Sequence, residues 1–269
     1  MLRIGCVKYL NACPLIHGWE GNVDFDHPAA LCNKLATAKL DVALVSSFEF
    51  LRNPIYRIVD DVSISSDGPV YSVVVAYRSE IAQIEEIELD PASETSVNLL
   101  RCLIAELGLN LRLVRRSTAV RSTAVRSKTD RRARLLIGDQ AIHFRQQYAN
   151  EFSFWDLGEY WEKSFRLPFV YALWLIRPEV ADPKRIANPL RALRDRNLAN
   201  LDKMISDLVA GVVDRGTQTS LQREFLSRYY RENLRFSFDE KEKEGLRIFS
   251  NLCVKHGLLA KRDLAFRVV

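Results

Sequence analysis

Apolar positions in the first fifty residues alternate between two rhythms. Leu2–Cys6, Val23–Asp26 and Asp41–Val45 are short apolar runs that predict strands. Pro14–Trp19 and Pro28–Lys39 carry apolar residues at helical spacing, with Leu31, Leu35 and Ala38 on one face of the second. Strand–helix–strand–helix–strand predicts a parallel sheet with covering helices. Beyond Ser46-Ser47 the pattern changes. Gly68-Pro69 marks a turn and Val70–Tyr77 a long β-branched strand. A second α/β unit follows: strand Ile87–Leu89, helix Val97–Leu107 closed by Gly108, and strands Leu111–Val114 and Arg134–Ile137. Gly138-Asp139 opens a helix, Trp155–Gly158 leads into another, and Phe169–Ile176 is a long apolar strand after Pro168. From Asp182 onward, segments 183–213, 217–233 and 239–257 read as amphipathic helices.

The early sheet needs those late helices to cover it, which makes the intervening unit an insertion. The pattern therefore predicts an α/β protein of two lobes, the second inserted in the first. Residues 1–84 and 175–269 form the first lobe and 85–174 the second, joined by the strands 70–77 and 169–176. A cleft between two such lobes is a preferred place for a small ligand.

Composition narrows the class. With 269 residues, 48% hydrophobic and 27% charged, the chain is an ordinary globular one rather than a disordered one. The net charge of +5 comes largely from residues 112–134, which hold nine Arg or Lys against one Asp. Within that stretch Arg-Ser-Thr-Ala-Val repeats in tandem from Arg116 to Arg126. An arm for nucleic-acid phosphates would carry interleaved aromatics; their absence favours a solvated loop, and no nucleic-acid partner is expected. No apolar run approaches the ~18 residues that cross a membrane. The first residues enter a strand with no export-signal pattern, so a cytoplasmic location is expected. Five scattered cysteines, Cys6, Cys13, Cys32, Cys102 and Cys253, lack paired metal spacing and read as buried thiols.

Nucleotide-binding glycine motifs, zinc-protease histidine pairs and nucleophile elbows are all missing from the chain. The four histidines show no metal spacing. His17 and His143, near the predicted cleft edges, read as structural or solvated rather than as proton carriers. Trp155, Trp161 and Phe169 read as packing of the second lobe. What recurs instead is polar residues at strand ends: Asn11, Ser46-Ser47, the Gly68–Ser72 turn, Ser93-Thr95-Ser96 and Gly138-Asp139. Hydroxyls and free N–H groups at helix starts suit carboxylates or phosphates. Two readings stand for Asn11, a ligand contact or the cap of the helix that Pro14 begins. Asp139 divides likewise between cap and site carboxylate, and Cys13 beside the site is a minor candidate nucleophile. On residues alone this is a two-lobed binder of a small anion, with or without catalysis.

A series of blocks resembles one family. They are Tyr9-Leu10-Asn11-Ala12-Cys13-Pro14-Leu15, Leu40–Ser47, Ser65–Val73, Ser93–Val97, Leu136–Asp139, Leu167–Trp174, and the late Tyr229, Leu234–Phe236 and Gly245-Leu246. In this order, over nearly the whole chain, they are similar to chorismate dehydratase of the futalosine route to menaquinone. The resemblance implies a type II periplasmic-binding-protein-like fold, no cofactor and no metal. It also implies a hydro-lyase reaction converting chorismate to 3-[(1-carboxyvinyl)oxy]benzoate. On that reading Asn11 and Ser72 donate to substrate oxygens, and Thr95 and Ser96 hold a carboxylate at a helix start. Ser46 and Ser47 line the first-lobe side, with Gly138 and Asp139 on the second. No His or Glu stands out as base, so the substrate's own enolpyruvyl carboxylate is expected to take the proton. A homodimer is left open.

Two departures stand out. Where the family usually has Thr-Gly before Leu-Pro-Phe, this chain has Phe165 and Arg166, and the tandem pentapeptide is not a family feature. The rival readings are the sister 1,4-dihydroxy-6-naphthoate synthase, which places a His-Glu pair where this chain has Gly138-Asp139, and a non-catalytic cytoplasmic small-anion-binding protein.

Overall fold

A computed structural model describes residues 2–78, 80–90, 93–115, 131–214 and 223–269. The chain opens with β1 (Ile4–Val7), passes through a 3-10 turn (Leu10–Ala12) into α1 (Cys13–Ile16), and continues as β2 (Val23–Asp26), α2 (Pro28–Ala36), β3 (Val42–Ser46), α3 (Ser47–Arg52) and β4 (Arg57–Ser66). It then builds β5 (Val73–Tyr77), β6 (Glu86–Leu89), α4 (Glu94–Glu106), β7 (Arg112–Arg115), β8 (Arg132–Ile137), α5 (Gly138–Gln147), β9 (Ser153–Asp156) and α6 (Leu157–Phe165). The return is β10 (Phe169–Ile176), followed by α7 (Lys184–Ala199), α8 (Leu201–Asp214), α9 (Arg223–Arg228), a π-turn (Tyr229–Asn233) and α10 (Glu240–Lys255).

The strands form two five-stranded sheets, ordered β2-β1-β3-β10-β4 and β7-β6-β8-β5-β9. β1 runs parallel to β2 and β3, and β10 is antiparallel to β3 and β4. In the second sheet β6 is parallel to β7 and β8, while β5 is antiparallel to β8 and β9. The second lobe is thus inserted in the first, but the crossings lie elsewhere than predicted. β5, assigned to the first lobe by a boundary at residue 84, pairs only within the second sheet, and β10, cut by a boundary at 174, pairs only within the first. The chain changes lobe just before Ser72 and again around Pro168. Hydrogen-bond partners decide this, and strand hydrophobicity carries no information about them.

Two strands escaped the sequence reading. β4 interrupts its apolar residues with Asp60-Asp61, Ser63 and Ser65, and Asp61 adopts φ 60°. Its pairing with β10 shifts register twice, so bulges break the two-residue alternation that reveals a strand. β9 is only four residues long. Phe169, expected in the second-lobe core, belongs to β10 of the first sheet and packs on Phe249 of α10 at a centroid distance of 5.0 Å, while Trp161 of α6 meets both rings, at 4.9 and 6.2 Å, and so joins the two lobes. Gly245 of α10 permits this approach, because a Cβ there would lie 2.1 Å from the Pro168 carbonyl oxygen. All five cysteines are free thiols. No described helix is long and apolar enough to cross a membrane. The tandem repeat lies outside the described residues.

Arg166 stands where the resemblance leads one to expect a glycine. It is the C-cap of α6 at φ 55°, ψ 34°, a left-handed conformation usually given to glycine. The turn survives without one, at a steric cost of roughly 1–2 kcal/mol. Arg166→Gly is therefore expected to stabilise the protein by roughly 0.5–1 kcal/mol in urea unfolding, after the greater freedom of glycine in the unfolded chain is subtracted. An unchanged or lower midpoint would count against strain at this cap.

Candidate functional site

Between the sheets lies a partly open cavity of about 50 Å³. The carboxyl ends of strands from both lobes reach it, the position at which α/β sheets present loops and helix starts to a ligand. β1 delivers Tyr9 and Asn11, and β3 ends on Ser46. From the second lobe come Ser72 ahead of β5, Ser93 and Ser96 at the start of α4, and Gly138 after β8; Tyr171 of β10 completes the wall. Five predicted site residues, Asn11, Ser46, Ser72, Ser96 and Gly138, are brought together here.

Asn11 is not a helix cap. The residue before α1 is Ala12, and no side chain caps that helix. The Asn11 Oδ1 atom is buried and has no hydrogen-bond partner in the protein, a cost of ~1–3 kcal/mol unless a water or a ligand reaches it. Gly138 starts α5 at φ 55°, and a Cβ on it would lie 3.0 Å from the Tyr9 ring. Glycine is needed there for both the backbone and the contact. Ser93 caps α4 by accepting the Ser96 N–H at 3.3 Å, and its own hydroxyl donates to Ser96 Oγ at 3.0 Å.

Ser47, Thr95 and Asp139 lie behind the wall. The Thr95 N–H donates to Ser46 Oγ at 3.1 Å, its own Oγ1 accepts the Phe48 N–H at 3.1 Å, and the Ser46 and Thr95 hydroxyls are hydrogen-bonded to each other. Ser47 spends its hydroxyl on the Val170 carbonyl at 2.7 Å. Asp139 accepts the Leu10 N–H at 2.9 Å. The Ser47 bond stays within the first lobe, whereas those of Thr95 and Asp139 tie first-lobe groups to second-lobe ones, so the contacts expected of Thr95 and Asp139 with a ligand are made here between lobes. The site residues that sequence reading passed over are Tyr9 and Tyr171. Both sit inside the resembling blocks, but nothing in their spacing marks them as cavity walls.

No Asp, Glu, His, Lys or Arg is among the described residues lining the cavity. Burial, reinforced by Asp90 and Asp139, pushes the Tyr9 phenol up to about 12. Burial also raises Tyr171 well above its ordinary range. Both phenols are therefore neutral near pH 7. The starts of α4 and α5 bring the positive ends of their helix dipoles to the cavity, with the Thr95, Ser96 and Gly138 N–H groups bonded to Ser46, Ser93 and the Ser72 carbonyl. The Cys13 thiol is pushed up to about 12 by burial and then by Asp139, the opposite of an activated nucleophile. His17 pairs with Asp207 at 3.6 Å and, like His143, is not part of the wall. The arrangement offers neutral donors and helix-start dipoles, which can hydrogen-bond a group that gains negative charge.

A family model for menaquinone biosynthesis matches residues 2–255. A chorismate dehydratase of Thermus thermophilus is 28% identical over 265 residues, covering 92% of this chain and 93% of that one. Among solved structures, a protein from Archaeoglobus fulgidus is similar with a TM-score of 0.72 at 19% identity, covering 96% of this chain and 98% of the other. The periplasmic aliphatic sulphonate binding protein of Escherichia coli follows at 0.64 and 13% identity, covering 98% and 94%. At these identities the likeness concerns the fold, which is that of the periplasmic binding proteins.

Proposed function

The chain belongs to the menaquinone biosynthesis family, and from that premise we propose that it is a hydro-lyase acting on chorismate, removing water to give 3-[(1-carboxyvinyl)oxy]benzoate in the futalosine route. The observation that carries the reading is the unpartnered Asn11 carboxamide in a cavity walled by Ser46, Ser72, Ser96 and neutral tyrosines. Chorismate carries two carboxylates, which suit the starts of α4 and α5. Its ring needs little from the protein. The proton beside the enol ether is acidified by the conjugated ring carboxylate, the adjacent hydroxyl leaves, and aromaticity drives the step. Asn11 and Ser72 are assigned the departing hydroxyl and the enolpyruvyl oxygens, where preorganised donors lower the barrier. The cavity of about 50 Å³ holds a few waters. Small-molecule sites start near ~300 Å³, so admission of chorismate requires the lobes to part and the Ser46–Thr95 bond to open.

The base is assigned to the substrate's enolpyruvyl carboxylate, because the cavity wall offers no carboxylate or imidazole and Asp139 is committed to Leu10. Asp139→Asn is accordingly expected to keep turnover within about threefold, whereas loss of a general base costs ~10²–10⁴. The same variant tests the carboxyl's titration. Burial raises the Asp139 pKa above its ordinary range, outweighing the Leu10 N–H and the His143 charge. The folded protein then binds this proton more tightly than the unfolded chain does. Its contribution to stability is present at acid pH and lost as pH rises through the folded value. Asp139→Asn should remove that loss, which urea titrations at several pH values would register.

The test of the proposal is direct: purified protein is incubated with chorismate alone and the products are examined by mass spectrometry. Loss of one water is expected; unchanged chorismate with folded protein overturns the reading.

A further inference from the structure

The π-turn Tyr229–Asn233 is the part of the fold that the proposed reaction has not yet used. It interrupts the helical phase after α9 so that two consecutive tyrosines, Tyr229 and Tyr230, are both buried, whereas adjacent residues on an α-helix face different ways. Such turns recur at functional sites. Here it grips both segments that carry the proposed donors. The Tyr230 hydroxyl donates to the Leu10 carbonyl at 2.8 Å, one residue before Asn11. Asn233 Nδ2 donates to the Pro69 carbonyl at 2.9 Å, and the Tyr229 hydroxyl donates to Ser72 Oγ at 2.8 Å.

We propose that Tyr229 is a positioning residue that fixes the direction of the Ser72 hydroxyl proton, aiming it into the cavity. This rests on the chorismate reading above. A serine hydroxyl has one proton to donate and two lone pairs that accept. A phenol is the stronger acid of the two hydroxyls and takes the donor role, so it occupies one lone pair of Ser72. Among the described residues the recorded acceptor for the Ser72 hydroxyl is the Val70 carbonyl at 3.5 Å, a long and weak bond that a better-placed ligand oxygen would displace. Ser72 itself is wholly buried and lines the cavity, which is where the proton is left to point. Accepting a bond from Tyr229 also polarises the serine O–H and makes it a better donor. Tyr229 is held in place by burial and by stacking on Phe225 at 5.7 Å. Burial, working against the Ser72 bond, pushes its phenol far above the ordinary range, so it remains a donor at every pH in which the protein works.

The experiment is a double-mutant cycle on chorismate turnover with Tyr229→Phe and Ser72→Ala, each checked for folding by near-UV circular dichroism. Ser72→Ala is expected to lower kcat about a hundredfold, the usual loss for one preorganised donor, and Tyr229→Phe about tenfold with KM changed less than about twofold. In the Ser72→Ala background, Tyr229→Phe should have no further effect on kcat. Tyr230→Phe is the comparison: it removes the same atom from a bond to a backbone carbonyl, and its effect should multiply with that of Ser72→Ala. Multiplicative loss for Tyr229→Phe, or wild-type kcat in that variant alone, overturns the positioning role while the dehydratase reading stands. A wild-type protein that leaves chorismate intact overturns that reading and this role with it.

Discussion

Asn11→Ala is expected to reduce chorismate turnover ~10²–10³-fold, as removal of one donor or acceptor from a preorganised site does elsewhere, while the melting temperature moves by no more than a few degrees. The two halves of this expectation come from one observation. The Asn11 Oδ1 atom is buried without a partner, and the residue ahead of α1 is Ala12, so no described hydrogen bond to that oxygen is lost on truncation. A carboxamide left unsatisfied in the resting protein is available to the substrate, and its two ends supply either a donor or an acceptor as the leaving hydroxyl demands. Kinetics with chorismate and a thermal melt on the same preparation check both halves. A melting point lowered by about 5 °C or more would instead mean that the side chain supports the fold by more than ~1 kcal/mol.

The largest effect on stability is expected from Asp156→Ala, at about 4 kcal/mol or more by urea unfolding, since several buried N–H groups would be stranded together. Asp156 is 3% exposed. Its carboxylate accepts the N–H groups of Val70 at 3.0 Å and Tyr71 at 2.8 Å, and caps α6 through Gly158 and Glu159, each at 3.1 Å. Arg145 approaches it at 3.3 Å and lies over the Tyr71 ring at 4.2 Å. Val70 and Tyr71 are where the chain crosses between lobes, and Tyr71 holds φ 65° there. That left-handed tyrosine is costly by itself, and the two bonds to Asp156 fix it. Ser72 comes next in the chain, so a released crossing also displaces a proposed donor, and activity should fall together with stability. Near-wild-type unfolding in Asp156→Ala would show that the crossing is held by its packing alone.

Both predictions concern residues whose local signals were of unequal quality. Asn11 was visible because a polar residue follows an apolar strand and precedes a proline, a pattern that admits cap or contact; the choice fell to the helix start at Ala12. Asp156 read only as part of a run leading into a helix. Its second function, holding Val70 and Tyr71 from 86 and 85 residues away, has no trace in neighbouring residues. Ser46 and Thr95 were grouped with the site from their places at strand and helix ends. They are indeed close in space, yet each satisfies the other, which residue type cannot reveal. β4 was missed for a related reason: its bulged pairing with β10 lets polar residues sit in a buried strand, so the alternation that marks strands fades.

By itself the sequence determined the alternation of strands and helices, the insertion of one lobe in the other, and the polar residues at strand ends, because each follows from periodicity and turn chemistry over a few neighbouring residues. Only the tertiary structure decided where the chain changes lobe and which polar groups remain free. Strand pairing settles the first, and the bonds that settle the second join residues 49, 129 and 157 positions apart, in Ser46–Thr95, Leu10–Asp139 and Ser72–Tyr229. A hydroxyl spent on another lobe and a hydroxyl turned toward a cavity are the same letter in the chain; the difference is which distant group reaches it first.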